Sequence, residues 1–169
     1  VGLMMAKILN VKNKIALKSA IDLGIAMQLT NISRDVLEDK KNSRFYISSN
    51  FESILKTIKL ADLFYESSFT SIKEIPLTFR FSILVARRIY RQIGRKITKK
   101  KNFENYNKSG KIYVTNLGKI VQTILSIYDL IKLTLIKPKY HFRDKEHLII
   151  KEAINLDERF WLYNYRWRL

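Results

Sequence analysis

The chain has 169 residues, 47% of them hydrophobic, which is enough to bury one core and suits a single domain. It has no cysteine, which excludes disulfides, thiolate catalysis and a zinc–thiolate site and fits a reducing cytoplasm. The net charge of +17 is spread along the chain and not gathered into one motif, so nucleic acid is not expected as a partner.

The first predicted element is a helix carrying QLTNISRDVLED over residues 28–39. With Gln28 at zero and 100° per residue, Asn31 falls at about −60°, Asp35 at about −20° and Asp39 at about +20°. These oxygen-bearing side chains share one narrow ridge, with Glu38 at its edge. Asp35 and Asp39 are one turn apart, roughly 6 Å along the axis. Apolar neighbours such as Ile25, Met27, Leu29 and Ile32 lead us to expect that the ridge is buried, and buried carboxylates need a cation. Hard oxygen donors without His or Cys suit Mg²⁺ or Mn²⁺. The same spacing would also serve as the solvated stripe of a surface helix. Against that, Gln and Asn stand where such a stripe would carry Lys–Glu pairs. Arg34, Lys40, Lys41 and Arg44 border the ridge, as a diphosphate would require. Gly24 lies on the ridge face, leaving room either for a substrate or for a close-packed helix.

Helical periodicity continues over residues 51–72, through Ile54, Leu55, Ile58, Leu60, Ala61, Phe64 and Tyr65. Pro76 is expected to open the next helix, 77–97, and Pro138 to follow a later one. The aromatics Phe64, Tyr65, Phe79 and Phe81 read as core, whereas Arg87, Arg88 and Arg91 read as solvated. Residues 98–111 are polar and read as an exposed loop; 111–115 alternate apolar and polar. The apolar reach 120–136 is broken by Gln122, Asp129 and Lys132, so it reads as an amphipathic or buried helix and not a membrane span. His141 and His147 read as surface residues. The aromatic and basic ending, 140–169, is expected to pack on the helices, with an interfacial anchor as the alternative.

The text in VGLMMA at 1–6, AIDLGIAMQLTNISRDVLED at 20–39 and RFY at 44–46 resembles consecutive blocks of the squalene and phytoene synthase family. So do ADLFY at 61–65, IPL at 75–77 and ARRIYRQIG at 86–94, and the phrasing is most similar to the bacterial phytoene synthases. The resemblance implies an all-α, isoprenoid synthase-type helical bundle, with residues 1–130 forming its C-terminal part and 131–169 an extension. It makes the ridge the family's second aspartate-rich motif. The first, a D-x-x-x-D on an earlier helix, has no counterpart here: Asp22, Asp62, Asp129, Asp144 and Asp157 are isolated in the sequence. The chain is therefore expected to be a C-terminal fragment that is inactive alone.

The resemblance further implies head-to-head condensation of two geranylgeranyl diphosphates to phytoene through a cyclopropyl diphosphate, in carotenoid biosynthesis. Asn31, Asp35 and Asp39 would be ligands to Mg²⁺ (or Mn²⁺), with Asp35 and Asp39 the catalytic pair. Gln28, Arg34 and Arg44 would hold diphosphate oxygens, and Tyr90 would line the cavity. The alternatives are a squalene or dehydrosqualene synthase using farnesyl diphosphate, and a non-catalytic, membrane-associated relative of the fold. The expected location is the cytoplasm, with peripheral contact to the inner face of the membrane, where basic residues gain about 1 kcal/mol each.

Overall fold

A computed structural model describes residues 2–11 and 13–136. Among them every regular element is helical. Helix α1, Gly2–Ile8, precedes the long helix α2, Lys14–Lys41. Then come α3, Phe51–Phe69, a 3₁₀ turn, Thr70–Glu74, and α4, Leu77–Thr98. A short α5, Phe103–Lys108, and α6, Asn116–Leu135, complete the described chain. Pro138, His141, His147 and the ending 140–169 lie outside the described residues.

The helix starts follow from short polar side chains. Asn50 accepts the Ser53 amide at 2.7 Å, Asn102 the Asn105 amide at 2.9 Å, and Thr115 the Gly118 amide at 3.2 Å. Pro76 opens α4, as its ring and missing N–H favour.

Helix α2 is the axis of the fold, packing against α1, α3, α4 and the 3₁₀ turn. It buries Asp22, Ala26, Thr30, Ser33 and Val36, a face of mostly small residues that lets α3 come close. The Thr30 and Tyr65 hydroxyls share a hydrogen bond at 3.0 Å across that contact. One cluster joins Val36, Ile54, Ile58, Ile93 and Ile97 to Tyr106, Ile112 and Val114. Burial of each such aliphatic side chain contributes about 1.5–3 kcal/mol.

Three expectations fail here. The polar stretch 98–111 is not all loop: its Asn102 cap starts α5, whose Tyr106 is buried in that cluster. Arg87, Arg88 and Arg91 on α4 are not solvated. Arg87 is buried and donates to the Tyr65 carbonyl from Nε at 3.1 Å and Nη2 at 2.8 Å, with Phe69 under its guanidinium. Arg88 and Arg91 pair with Asp129 and with Asp62 and Glu66. Their partners come from α3 and α6, far away in sequence, so the run of cations on α4 is met by acids that its own text does not contain. Among the aromatics, Phe64 and Tyr65 are buried and Phe81 half-buried, but Phe79 is exposed.

Gly24 serves close packing. A Cβ there would lie 3.2 Å from the Gly2 nitrogen, and one on Gly2 would lie 2.0 Å from the Ala20 carbonyl oxygen. Helix α1 therefore rests directly on the backbone of α2.

Candidate functional site

The ridge on α2 does not point into the core. Its buried face lies on the opposite side, through Ala26, Thr30 and Ser33, because that side carries the small residues on which α3 packs. Gln28 is exposed at the N-terminal end of the ridge, while Asn31, Asp35 and Asp39 are half-buried along it. The Asn31 side-chain oxygen is nevertheless covered and has no hydrogen-bond partner.

The ridge borders an open cleft of about 630 Å³, lined by Arg34, Asp35 and Glu38 with Lys40, Lys41 and Lys111. Arg34 grips Asp35 with two parallel bonds, Nε to Oδ1 at 2.8 Å and Nη2 to Oδ2 at 2.5 Å. That bond to Asp35 is the main reason the Arg34 pKa is raised. Tyr90, on α4, is close enough to Arg34 to interact with it electrostatically, and it packs against the cluster of Leu23, Ala26, Ala61, Phe64 and Tyr65. Lys111 donates to Glu38 at 2.9 Å and stands 4.0 Å from Asp35. Four cations and two carboxylates thus share the cleft, and the surplus of positive charge suits an anion.

The other flank holds Asp39 and Arg44, which line a much smaller recess with Val36 and Tyr46. They meet because α2 ends in a tight reversal. Ser43 adopts φ 57°, and the Arg44 amide returns to the Asp39 carbonyl at 2.8 Å. The structure therefore brings Arg34, Asp35 and Tyr90 together, and Asp39 and Arg44 together, with Asn31 one turn before Asp35 on the ridge and Gln28 apart in solvent.

Two contributors escaped the sequence reading. Tyr106 donates from its hydroxyl to the Ser33 carbonyl at 3.0 Å and the Arg34 carbonyl at 2.9 Å, fixing α5 under the ridge. Burial pushes its pKa up to about 12, so it remains a donor at any ordinary pH. The signal was the Asn102 cap, which starts a helix where the composition suggests a loop. The other is Lys111, placed by the extended run after α5, in which Ile112 and Val114 point inward and Tyr113 outward. Replacing Tyr106 by Phe should lower the thermal midpoint by about 2–4 °C, the effect of losing roughly 1 kcal/mol. A melting curve identical to the parent's would remove Tyr106 from this role.

The donors on the ridge fit a hard divalent cation in kind. They are one orphaned amide oxygen and two carboxylates, and Asp35 keeps lone pairs that Arg34 does not use. Among the described residues no group of three or more His, Cys, Asp or Glu is placed to hold a metal ion. The ridge supplies part of a coordination sphere.

The family model described as squalene/phytoene synthase matches residues 1–51, a span that holds the whole ridge and Arg44. The 15-cis-phytoene synthase of Paracoccus sp. (strain N81106 / MBIC 01143) is 35% identical over 117 residues, covering 59% of this chain and 38% of that protein. The chain is similar to squalene/phytoene synthases over its first 51 residues and to a phytoene synthase over about three-fifths of its length. The 15-cis-phytoene synthase of Enterobacter agglomerans is 32% identical over 118 residues, 57% of this chain and 40% of its own. The phytoene synthase of Rhodobacter capsulatus is 31% identical over 123 residues, 60% of this chain and 36% of its own. The chain thus spans about two-fifths of the length of these curated relatives. No solved structure matches it. The described residues have the expected helical architecture, and among them no helix is long and apolar enough to cross a membrane.

Proposed function

We propose that this chain forms the C-terminal part of a phytoene synthase, a prenyltransferase that joins two geranylgeranyl diphosphates head to head. The observation that carries this reading is the Arg34–Asp35 clamp, set in a cationic cleft beside a ridge of oxygen donors. Asn31, Asp35 and Asp39 would hold Mg²⁺ or Mn²⁺ along the ridge, in part through waters. When bound, the cation neutralises the charge that builds up as diphosphate departs.

The chain's own residues do the rest. Asp35 orients Arg34, whose unused N–H groups remain free to donate to diphosphate oxygens. Lys40, Lys41 and Lys111 raise the positive potential of the cleft, Gln28 would add a donor from the start of the ridge, outside the cleft, and Arg44 adds a cation beside Asp39. Tyr90 presents a ring whose negative face shields an allylic cation from water. Pairing keeps these charges fixed before substrate arrives, so little reorganisation is needed during the reaction. The first acidic wall of the family would come from residues outside this sequence.

Two measurements test the reading. The complete protein, given radiolabelled geranylgeranyl diphosphate and Mg²⁺, should release phytoene. A C30 product from farnesyl diphosphate in its place would assign the chain to squalene or dehydrosqualene formation, and no product from either would favour a non-catalytic relative. The 169-residue chain alone should bind Mg²⁺-diphosphate weakly and show no turnover. Turnover by this piece would mean that one acidic wall suffices.

A further inference from the structure

Helix α6 turns its polar side inward. Gln122, Ser126 and Asp129 are buried with Leu133, while an apolar stripe through Ile120, Ile124, Ile127 and Ile131 stays exposed. The inversion sets polar and charged side chains of α6 against α4, and a cleft of about 410 Å³ opens where both meet α3. Five cations line it, Arg87, Arg88, Arg91 and Arg95 from α4 and Lys132 from α6, against two acids, Glu66 and Asp129. None of these residues lines the cleft beside the α2 ridge.

Gathering like charges on one wall is costly unless something of opposite sign meets them. Arg88 is answered by Asp129, and Arg91 by Asp62 and Glu66. Among the described residues, Arg87, Arg95 and Lys132 have no carboxylate partner. Arg87 is the sharpest case. It is 6% exposed, and both of its hydrogen bonds go to the Tyr65 carbonyl. A carbonyl accepts those bonds without neutralising the guanidinium, so a buried charge is left without a counter-ion. Burial, and then repulsion by Arg91, push its pKa down to about 10. Lys132 comes from the other helix and lies 5.9 Å over the same Phe69 ring that Arg87 covers at 4.7 Å. Two cations from different helices thus converge on one aromatic ring at the wall of the cleft.

We propose that this cleft binds a soluble polyphosphate anion, of the di- or triphosphate class, at a site separate from the α2 ridge. Arg87, Arg91 and Arg95 stand one turn apart on α4 and form a row about 12 Å long. A lone phosphate meets one part of that row. Two or three linked phosphates reach Arg87 and Lys132 beside Phe69 at one end and Arg95 towards the other. Arg87 spends two of its five N–H groups on Tyr65, which leaves donors for the ligand. The anion supplies the missing counter-charge and ties α4 to α6.

Isothermal titration of the full chain with inorganic triphosphate, without divalent cations, tests it. The parent should bind triphosphate saturably, and its melting temperature should rise as the site fills. A net charge of +17 attracts any anion weakly, so the comparison of variants carries the test. Arg95→Gln/Lys132→Gln should bind about tenfold more weakly, the loss expected when charge-assisted contacts go. Both positions are exposed, so this variant should keep the parent's circular dichroism. Lys40→Gln/Lys111→Gln, which alters the α2 cleft, should leave the binding unchanged, and monophosphate should bind at least about tenfold more weakly than triphosphate. Parental affinity in Arg95→Gln/Lys132→Gln, a loss confined to the α2-cleft variant, uptake that never saturates, or monophosphate binding as tight as triphosphate would each overturn the proposal. None of these outcomes bears on product formation at the α2 ridge, so the two readings stand or fall separately.

Discussion

Asp35→Asn in the complete protein is expected to slow phytoene formation by about 10²–10³-fold, the scale on which enzymes suffer when one preorganised electrostatic group is removed. The geometry makes the loss double. The amide that replaces the carboxylate would lack the charge that a divalent cation on the ridge requires. It would also no longer match the guanidinium fork of Arg34, which now donates two bonds to Asp35. Arg34 would then be free to swing, and the cleft would lose its orientation as well as a ligand. Stability should hardly change. The Arg34 and Asp35 side chains are 19% and 18% exposed, and pairs this accessible contribute about 0–1 kcal/mol. Asp39→Asn should cost a similar factor. The double variant should be little worse than either single one, because groups acting on one departing diphosphate are not additive. The check is steady-state turnover across a Mg²⁺ titration, together with a melting curve. Near-parental rates in Asp35→Asn at saturating Mg²⁺ would sink the assignment of the ridge, whereas a collapse in melting temperature would make the residue structural.

The ridge itself was legible because helical geometry is local. The spacing of Gln28, Asn31, Asp35 and Asp39 fixes their shared face before any tertiary contact forms. What spacing could not give was the direction of that face. The apolar neighbours argued for burial, yet the buried side was decided by Ala26, Thr30 and Ser33, whose small size lets α3 approach. Small residues carry almost no hydrophobic signal, so a pattern built on large apolar side chains pointed the wrong way. The same blindness hid α5. Asn102, Glu104 and Asn105 look like loop, but a capped turn and one buried tyrosine are enough to order the segment beneath α2. In α6 the helix was plain from periodicity while its orientation was not. Gln122, Ser126 and Asp129 face inward, and Arg88 on α4 meets Asp129 with two bonds, a match visible only after the two helices are side by side.

That match leads to the largest stability effect expected in the chain. Arg88→Leu should destabilise the fold by about 3–5 kcal/mol, lowering the melting temperature on the order of 10 °C, because it strips buried Asp129 of its two charge-assisted hydrogen bonds. Asp129 is 6% exposed and cannot turn to water while α6 stays docked. The reverse substitution, Asp129→Leu, should cost less, since the Arg88 side chain is 19% exposed and long enough to carry its charge outward. Combining the two should recover most of the loss. An apolar pair of similar volume then fills the α4–α6 contact beside Leu84 and Leu133, with neither charge left to desolvate. A double-mutant cycle by denaturant unfolding reads the coupling directly. If Arg88→Leu alone proved neutral, Asp129 would have to reach solvent, and α6 could not be held in its inverted orientation by this pair. The apolar stripe would then be a face that the helix is free to turn inward.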